Sequence, residues 1–114
     1  MEEKRKYARI DSLNLLNYLY YENNEEDANQ GMGRTLNISE AGILLETHTP
    51  LQPPNKVSLT IGMKEDVVDI RGRVVYMKQN PDGLFESGIS FEGLNNGALQ
   101  VLRRYITAFN ETEA

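Results

Sequence analysis

Cysteine is absent from the chain, and histidine occurs once, at His48. The first absence excludes a disulfide framework and any thiolate metal site. The second leaves no histidine cluster, and His48, between Thr47 and Thr49 at a strand end, reads as a surface residue. No apolar run approaches the ~20 residues needed to cross a bilayer. Nor is the charged N-terminus followed by an apolar segment of signal-peptide type. A cytoplasmic protein without membrane insertion is therefore expected. Walker-type and dinucleotide-type glycine loops are missing too. The carboxylates show no pairing suited to acid–base hydrolysis. With no credible nucleophile, base, metal set or cofactor motif, an enzyme is not expected.

What remains is a chain of 114 residues, suited to one domain over 1–114 and one core. Folding at this size buries roughly two-thirds of the unfolded chain's surface. The formal charge is −5, unevenly spread. Lys4, Arg5, Lys6 and Arg9 oppose only Glu2 and Glu3, giving the first nine residues +2, while the remainder, with 8 basic and 15 acidic residues, carries −7. Such a body argues against a nucleic-acid polymer held by counterion release. A basic arm on it suits a small anion, although a solvated charged terminus has the same composition.

Strand patterns dominate after the arm, residues 1–9. Ile10 to Tyr21 is rich in Leu and Tyr; its alternation breaks at Leu15-Leu16, which predicts a strand with a bulge. Residues 22–30 are almost wholly acidic or amide-bearing and predict a solvated loop. Met32 to Leu36 and Ile43 to Thr47 predict strands joined by a tight connection at Asn37 to Gly42. Pro50, Pro53 and Pro54 mark a turn. Lys56 to Ile61 alternates with Val57, Leu59 and Ile61 inward. Val67 to Met77 is the longest strand pattern, with Val68, Ile70, Val74 and Tyr76 sharing a face, and Asn80-Pro81-Asp82-Gly83 turns it back into Leu84 to Phe91 as a hairpin. Then the period changes. Ala98, Val101, Leu102, Tyr105 and Phe109 recur at helical spacing over 94–110, with Asn95 or Asn96 as the cap. The fold expected is mainly β: a small antiparallel barrel of roughly six strands, residues 10–93, with a C-terminal amphipathic helix.

Two polar clusters stand out. Arg5 and Arg9 are four apart in Arg5-Lys6-Tyr7-Ala8-Arg9. Arginine's planar fork suits bidentate contact with phosphate and with the O6 and N7 acceptors of guanine; surface ion pairing is the alternative. In Asn37-Ile38-Ser39-Glu40-Ala41-Gly42, Asn37 and Ser39 offer short, stiff donors and acceptors. Gly42 admits a positive φ or a close ligand approach. An ordinary β-turn has the same composition.

In this order, Arg-x-x-x-Arg and then Asn-x-Ser-x-x-Gly resemble the PilZ domain family. Gly72-Arg73-Val74-Val75 and Ser87-Gly88-Ile89-Ser90-Phe91 resemble its later hairpin, and the closing helix fits. The resemblance spans nearly the whole chain. It implies an antiparallel barrel that binds the bacterial second messenger cyclic di-GMP, with Arg5 and Arg9 gripping guanine edges and phosphates. Asn37, Ser39 and Gly42 would line the other guanine contact, and Lys4 would add a phosphate contact. Tyr76 falls where many members place an aromatic near the ligand, while its parity with Val74 implies a core role. Ligand binding would order the arm and signal to a downstream protein partner. Two other readings compete: a PilZ-like interaction module that binds no nucleotide, and a barrel for single-stranded nucleic acid, which would need a basic groove with stacking aromatics.

Overall fold

The computed structural model describes residues 15–22, 28–63 and 66–113, and among these residues it forms six strands and one helix. The strands are β1 (Leu15–Tyr21), β2 (Ala28–Ile38), β3 (Gly42–Thr47), β4 (Lys56–Met63), β5 (Asp66–Gln79) and β6 (Phe85–Glu92); α1 spans Asn96–Glu113. All neighbouring strands are antiparallel, in the order β1-β2-β3-β6-β5-β4, and β4 returns to β1 to close the barrel. Closure gives each strand a partner on both sides over part of its length.

Alternation along the strands fills the interior. Leu16, Tyr18 and Tyr20 point in from β1, Ile43 and Leu45 from β3, Val57, Leu59 and Ile61 from β4, and Ile70 and Val74 from β5. The Tyr20 hydroxyl reaches the segment after β3, accepting from the Gln52 backbone N–H and the Asn55 amide, each at 2.9 Å. That satisfies its polar end without moving its ring from the core. Leu102, Tyr105 and Phe109 carry the apolar stripe of α1 into the same core, against β4 and β5. The Asn95 side chain caps the helix, accepting from the Ala98 N–H at 2.8 Å. Deeper in, the Tyr105 hydroxyl and Thr35 Oγ1 share a buried hydrogen bond of 3.1 Å, which ties α1 to β2.

Several expectations shift. Residues 28–30 belong to β2, not to a loop. They pair with Tyr21, Tyr20 and Leu19 through the backbone while their side chains stay exposed, so side-chain patterning carries no trace of them. The connection expected from Asn37 begins two residues later, because β2 runs on to Ile38. Between Leu15 and Tyr21, β1 alternates without a bulge: Leu15 and Leu19 face out and Leu16, Tyr18 and Tyr20 face in. The irregularities fall instead between Thr35 and Asn37 and between Val74 and Tyr76. Gly42 is not among the positive-φ glycines. Its missing side chain answers a spatial demand, since a Cβ there would collide with the Ile89 carbonyl oxygen where β6 crosses β3. Positive φ occurs at Gly83 instead, where Asn80 closes the hairpin turn by accepting from the Asp82 and Leu84 N–H groups, each at 3.0 Å.

Tyr105→Phe removes the Thr35 partner and leaves a buried hydroxyl unsatisfied; it should cost about 1–3 kcal/mol in denaturant unfolding. Burial raises the Tyr105 hydroxyl above the ordinary value of 10.0, with the Thr35 hydrogen bond partly offsetting it; burial also raises Tyr18. Above that ordinary value the unfolded chain loses these protons first. The contribution of these two tyrosines to stability is therefore constant below about pH 10 and falls as pH rises beyond it. Thermal melts from pH 8 to 11 should show this fall, and Tyr105→Phe should shrink but not abolish it.

Candidate functional site

Two bulges shape the outer surface of the barrel. A bulge inserts one residue into a ladder and reverses the faces of those that follow. On β2, Thr35 pairs with Leu45 and Asn37 with Leu44, leaving Leu36 as the extra residue. Asn37 is thereby turned outward while Thr35 stays buried. On β5, Val74 pairs with Ile89 and Tyr76 with Gly88, leaving Val75 as the extra residue. Tyr76, which strict parity would bury beside Val74, is 51% exposed. The core role implied by parity is thus overturned.

These two displaced residues end one cross-strand row: Asn37 on β2, Leu44 on β3, Gly88 on β6 and Tyr76 on β5. The row runs through an outward-facing concavity of about 390 Å³. Ser39, Ala41 and Gly42 line one side, Val75 and Tyr76 the other, and Ser90 lies beyond Gly88. The Tyr76 ring lies over Gly88, in space that any Cβ at Gly88 would occupy. One aromatic ring therefore faces a polar turn across two strands.

Hydrogen bonds hold that turn. The Ser39 N–H donates to the Gly42 carbonyl at 2.9 Å, and Ser39 Oγ accepts from the Ala41 N–H at 3.2 Å. The Ala41 carbonyl accepts from the Phe91 N–H at 2.9 Å, fixing the turn to β6. Asn37 Oδ1 accepts from the Ile38 N–H at 2.9 Å, which orients its carboxamide. Its amide hydrogens have no partner among the described residues. None of the described lining residues is charged. Beside it, a second row places Arg34, Glu46, Glu86 and Lys78 across the same four strands. Here Arg34 meets Glu46 at 3.0 Å, Lys78 meets Glu86 at 3.9 Å, and the Asn80 amide donates to both carboxylates. Those charges are matched within the row.

Asn37, Ser39 and Gly42, singled out in the sequence, are thus brought to one wall of one concavity. Lys4, Arg5 and Arg9 lie outside the described residues. Leu44, Gly88 and Ser90 were not anticipated. For Gly88 and Ser90 the signal was present as Ser87-Gly88-Ile89-Ser90-Phe91, whose outward faces matter as much as the inward Ile89; for Leu44 it was the outward position between Ile43 and Leu45 in the alternation of β3. His48 is exposed after β3 and does not line the concavity. Among the described residues no group of three or more His, Asp or Glu is placed to hold a metal ion, and no helix is long and apolar enough to cross a membrane.

No curated protein matches the chain at a significant level. Among solved structures, it is similar to the PilZ domain of YcgR from Escherichia coli, a structure with c-di-GMP. The TM-score is 0.64 at 12% sequence identity, covering 86% of this chain and 84% of that one. That likeness is one of fold. The PilZ domain family model matches residues 3–108, an interval that takes in both polar clusters, all six strands and most of α1. The chain belongs to the PilZ domain family.

Proposed function

We propose that this protein is a cyclic di-GMP receptor and not an enzyme. The observation that carries the reading is the concavity in which Asn37, Ser39 and Gly42 face the exposed ring of Tyr76. Its volume of about 390 Å³ falls within the ~300–1,000 Å³ usual for small-molecule sites. A purine has a flat apolar face and a polar edge. Tyr76 supplies a surface for the first, and the Asn37 amide and Ser39 hydroxyl supply groups for the second.

Charge is the missing component, and the N-terminal arginines are suited to supply it. A cyclic dinucleotide carries two phosphates, whereas the described lining is uncharged. The chain enters β1 at Leu15, opposite Arg34 and three residues along β2 from Asn37. Five residues lie between Arg9 and Leu15, six steps of chain with an extended span of at most ~20–22 Å. Strands lie ~4.8 Å apart, so crossing from β1 to β6 takes ~15 Å. Arg9, and Arg5 beyond it, therefore have the reach to clasp a ligand seated over β3 and β6, with Lys4 as a further phosphate contact.

Function then follows from composition. Residues 1–9 carry too little apolar surface to pack by themselves. Bound cyclic di-GMP bridges arm and barrel, and the population moves toward an ordered arm whose new surface a protein partner reads. The retained Arg5 and Arg9 pair, together with the intact polar wall, favours this over an interaction module without nucleotide. The acidic body, −7 beyond the arm, disfavours a nucleic-acid polymer. A cytoplasmic location fits a receptor of this kind.

Calorimetric titration of cyclic di-GMP, with GMP as control, should give saturable binding by the wild-type protein. Arg5→Ala and Arg9→Ala should each lose about 2–4 kcal/mol, the range for breaking a desolvated charged contact; a loss below tenfold in both would defeat the assignment. Tyr76→Ala should cost about 1–3 kcal/mol of affinity if the ring stacks on a base, with the melting temperature little changed because the ring lies outside the core. Amide exchange over residues 1–10 should slow at saturating ligand, and unchanged exchange would rule out arm ordering.

A further inference from the structure

One residue of the Asn-x-Ser-x-x-Gly turn points away from the concavity. Glu40 lies between Ser39 and Ala41, both lining residues, yet is not itself among them. Its carboxylate meets Arg103 of α1, 63 positions away in sequence: Arg103 Nε donates to Oε2 at 3.0 Å and Nη2 to Oε1 at 3.4 Å. This fork-on-fork arrangement is the geometry by which arginine neutralises and orients a carboxylate. Both side chains remain about half exposed, at 56% and 53%. An exposed pair of this kind adds little to global stability. Its consequence is local.

The location defines that consequence. Glu40 is the only charged residue in the turn from Asn37 to Gly42, and the sign is wrong for an anionic ligand. Unpaired, its carboxylate would stand in the same turn as Ser39 and Gly42, and its charge would act over a Debye length of ~8–10 Å on an anionic ligand seated in the concavity they line. Paired, it is neutralised and drawn toward the helix. The neighbouring cation Arg104 does not share this task, since it pairs with Asp66 at 2.6 Å. Meanwhile the Tyr105–Thr35 hydrogen bond, two residues along α1, fixes the same stretch of helix to β2, so Arg103 is presented from an anchored helix.

We propose that Arg103 is a positioning residue of the anion site, neutralising Glu40 and holding it clear so that a cyclic dinucleotide can occupy the turn. The proposal rests on the cyclic di-GMP reading and extends it to a residue of α1 that does not line the concavity. It also makes the helix and the ligand turn electrostatically interdependent.

The test is calorimetric titration of cyclic di-GMP at about 50 and 300 mM salt into the wild type, Arg103→Ala, Arg103→Lys, Glu40→Gln and the double variant Arg103→Ala/Glu40→Gln. Melting temperatures should agree closely, as expected for an exposed pair. Arg103→Ala should weaken binding about five- to tenfold at low salt and less at high salt, the mark of a charge acting through solvent. Lysine at 103 should recover part of that loss. Glu40→Gln should bind at least as tightly as wild type, and the double variant should return to within about twofold of it, because the charge that needed neutralising is gone. A double variant as weak as Arg103→Ala, or an Arg103→Ala indistinguishable from wild type at low salt, overturns the proposal while leaving the receptor reading intact. Absence of binding by the wild type overturns both.

Discussion

Closure of the six-stranded ring is the constraint on which the rest of this structure depends. Because β4 returns to β1, the register of each strand is set from both sides. A slip by one residue would expel an entire set of inward side chains, Val57, Leu59 and Ile61 among them. Only local insertions remain as a way to change which residues face outward. The chain uses two, Leu36 on β2 and Val75 on β5, and each reverses a face without disturbing the buried neighbours Thr35 and Val74. The concavity owes its two walls to these insertions. Without them Asn37 and Tyr76 would be core residues, one an amide seeking a partner and the other a ring displacing its neighbours.

Between those walls the floor must be thin. Gly42 and Gly88 supply that, for different reasons. At Gly42 the Ile89 carbonyl fills the space a side chain would need, so β3 and β6 approach closely; at Gly88 the Tyr76 ring occupies the space a Cβ would take. Glycine is therefore required by backbone packing at Gly42, while at Gly88 it leaves room for the Tyr76 ring. The same atoms that close the barrel define the surface offered to a ligand.

Electrostatically, the barrel pairs many of its surface charges with one another. Arg34 with Glu46, Lys78 with Glu86, Arg73 with Glu92, Arg104 with Asp66 and Arg103 with Glu40 form pairs around the outer surface. Individually such pairs contribute little to stability. Their placement matters more, since the described lining of the concavity is left uncharged. A receptor for a doubly anionic ligand built on this body must bring its positive charge from elsewhere, and the N-terminal cluster of Lys4, Arg5, Lys6 and Arg9 is the concentrated source in the sequence.

Much of this was legible before any coordinates. The period-two runs at Val57–Ile61 and Ile43–Thr47, the Asn80–Gly83 turn and the helical spacing from Val101 to Phe109 each report local geometry, because burial of one face imposes its period on the side chains. Asn37, Ser39 and Gly42, which line one wall of the concavity, are singled out through the resemblance to the PilZ motif, since six consecutive residues of this composition equally make an ordinary β-turn. What escaped was whatever depends on a partner strand. Residues 28–30 are strand only because β1 pairs with their backbone, and their exposed side chains carry no periodic signal. Tyr76 is outward only because β6 offers Gly88 where the ladder skips Val75. A bulge is a mismatch between two strands, and one strand's sequence does not contain it. The order of residues alone determined the strand and helix periods and, through its resemblance to the PilZ family, marked the residues of one wall of the concavity; tertiary pairing alone decided that Tyr76 would face that wall and that Arg103 would meet Glu40.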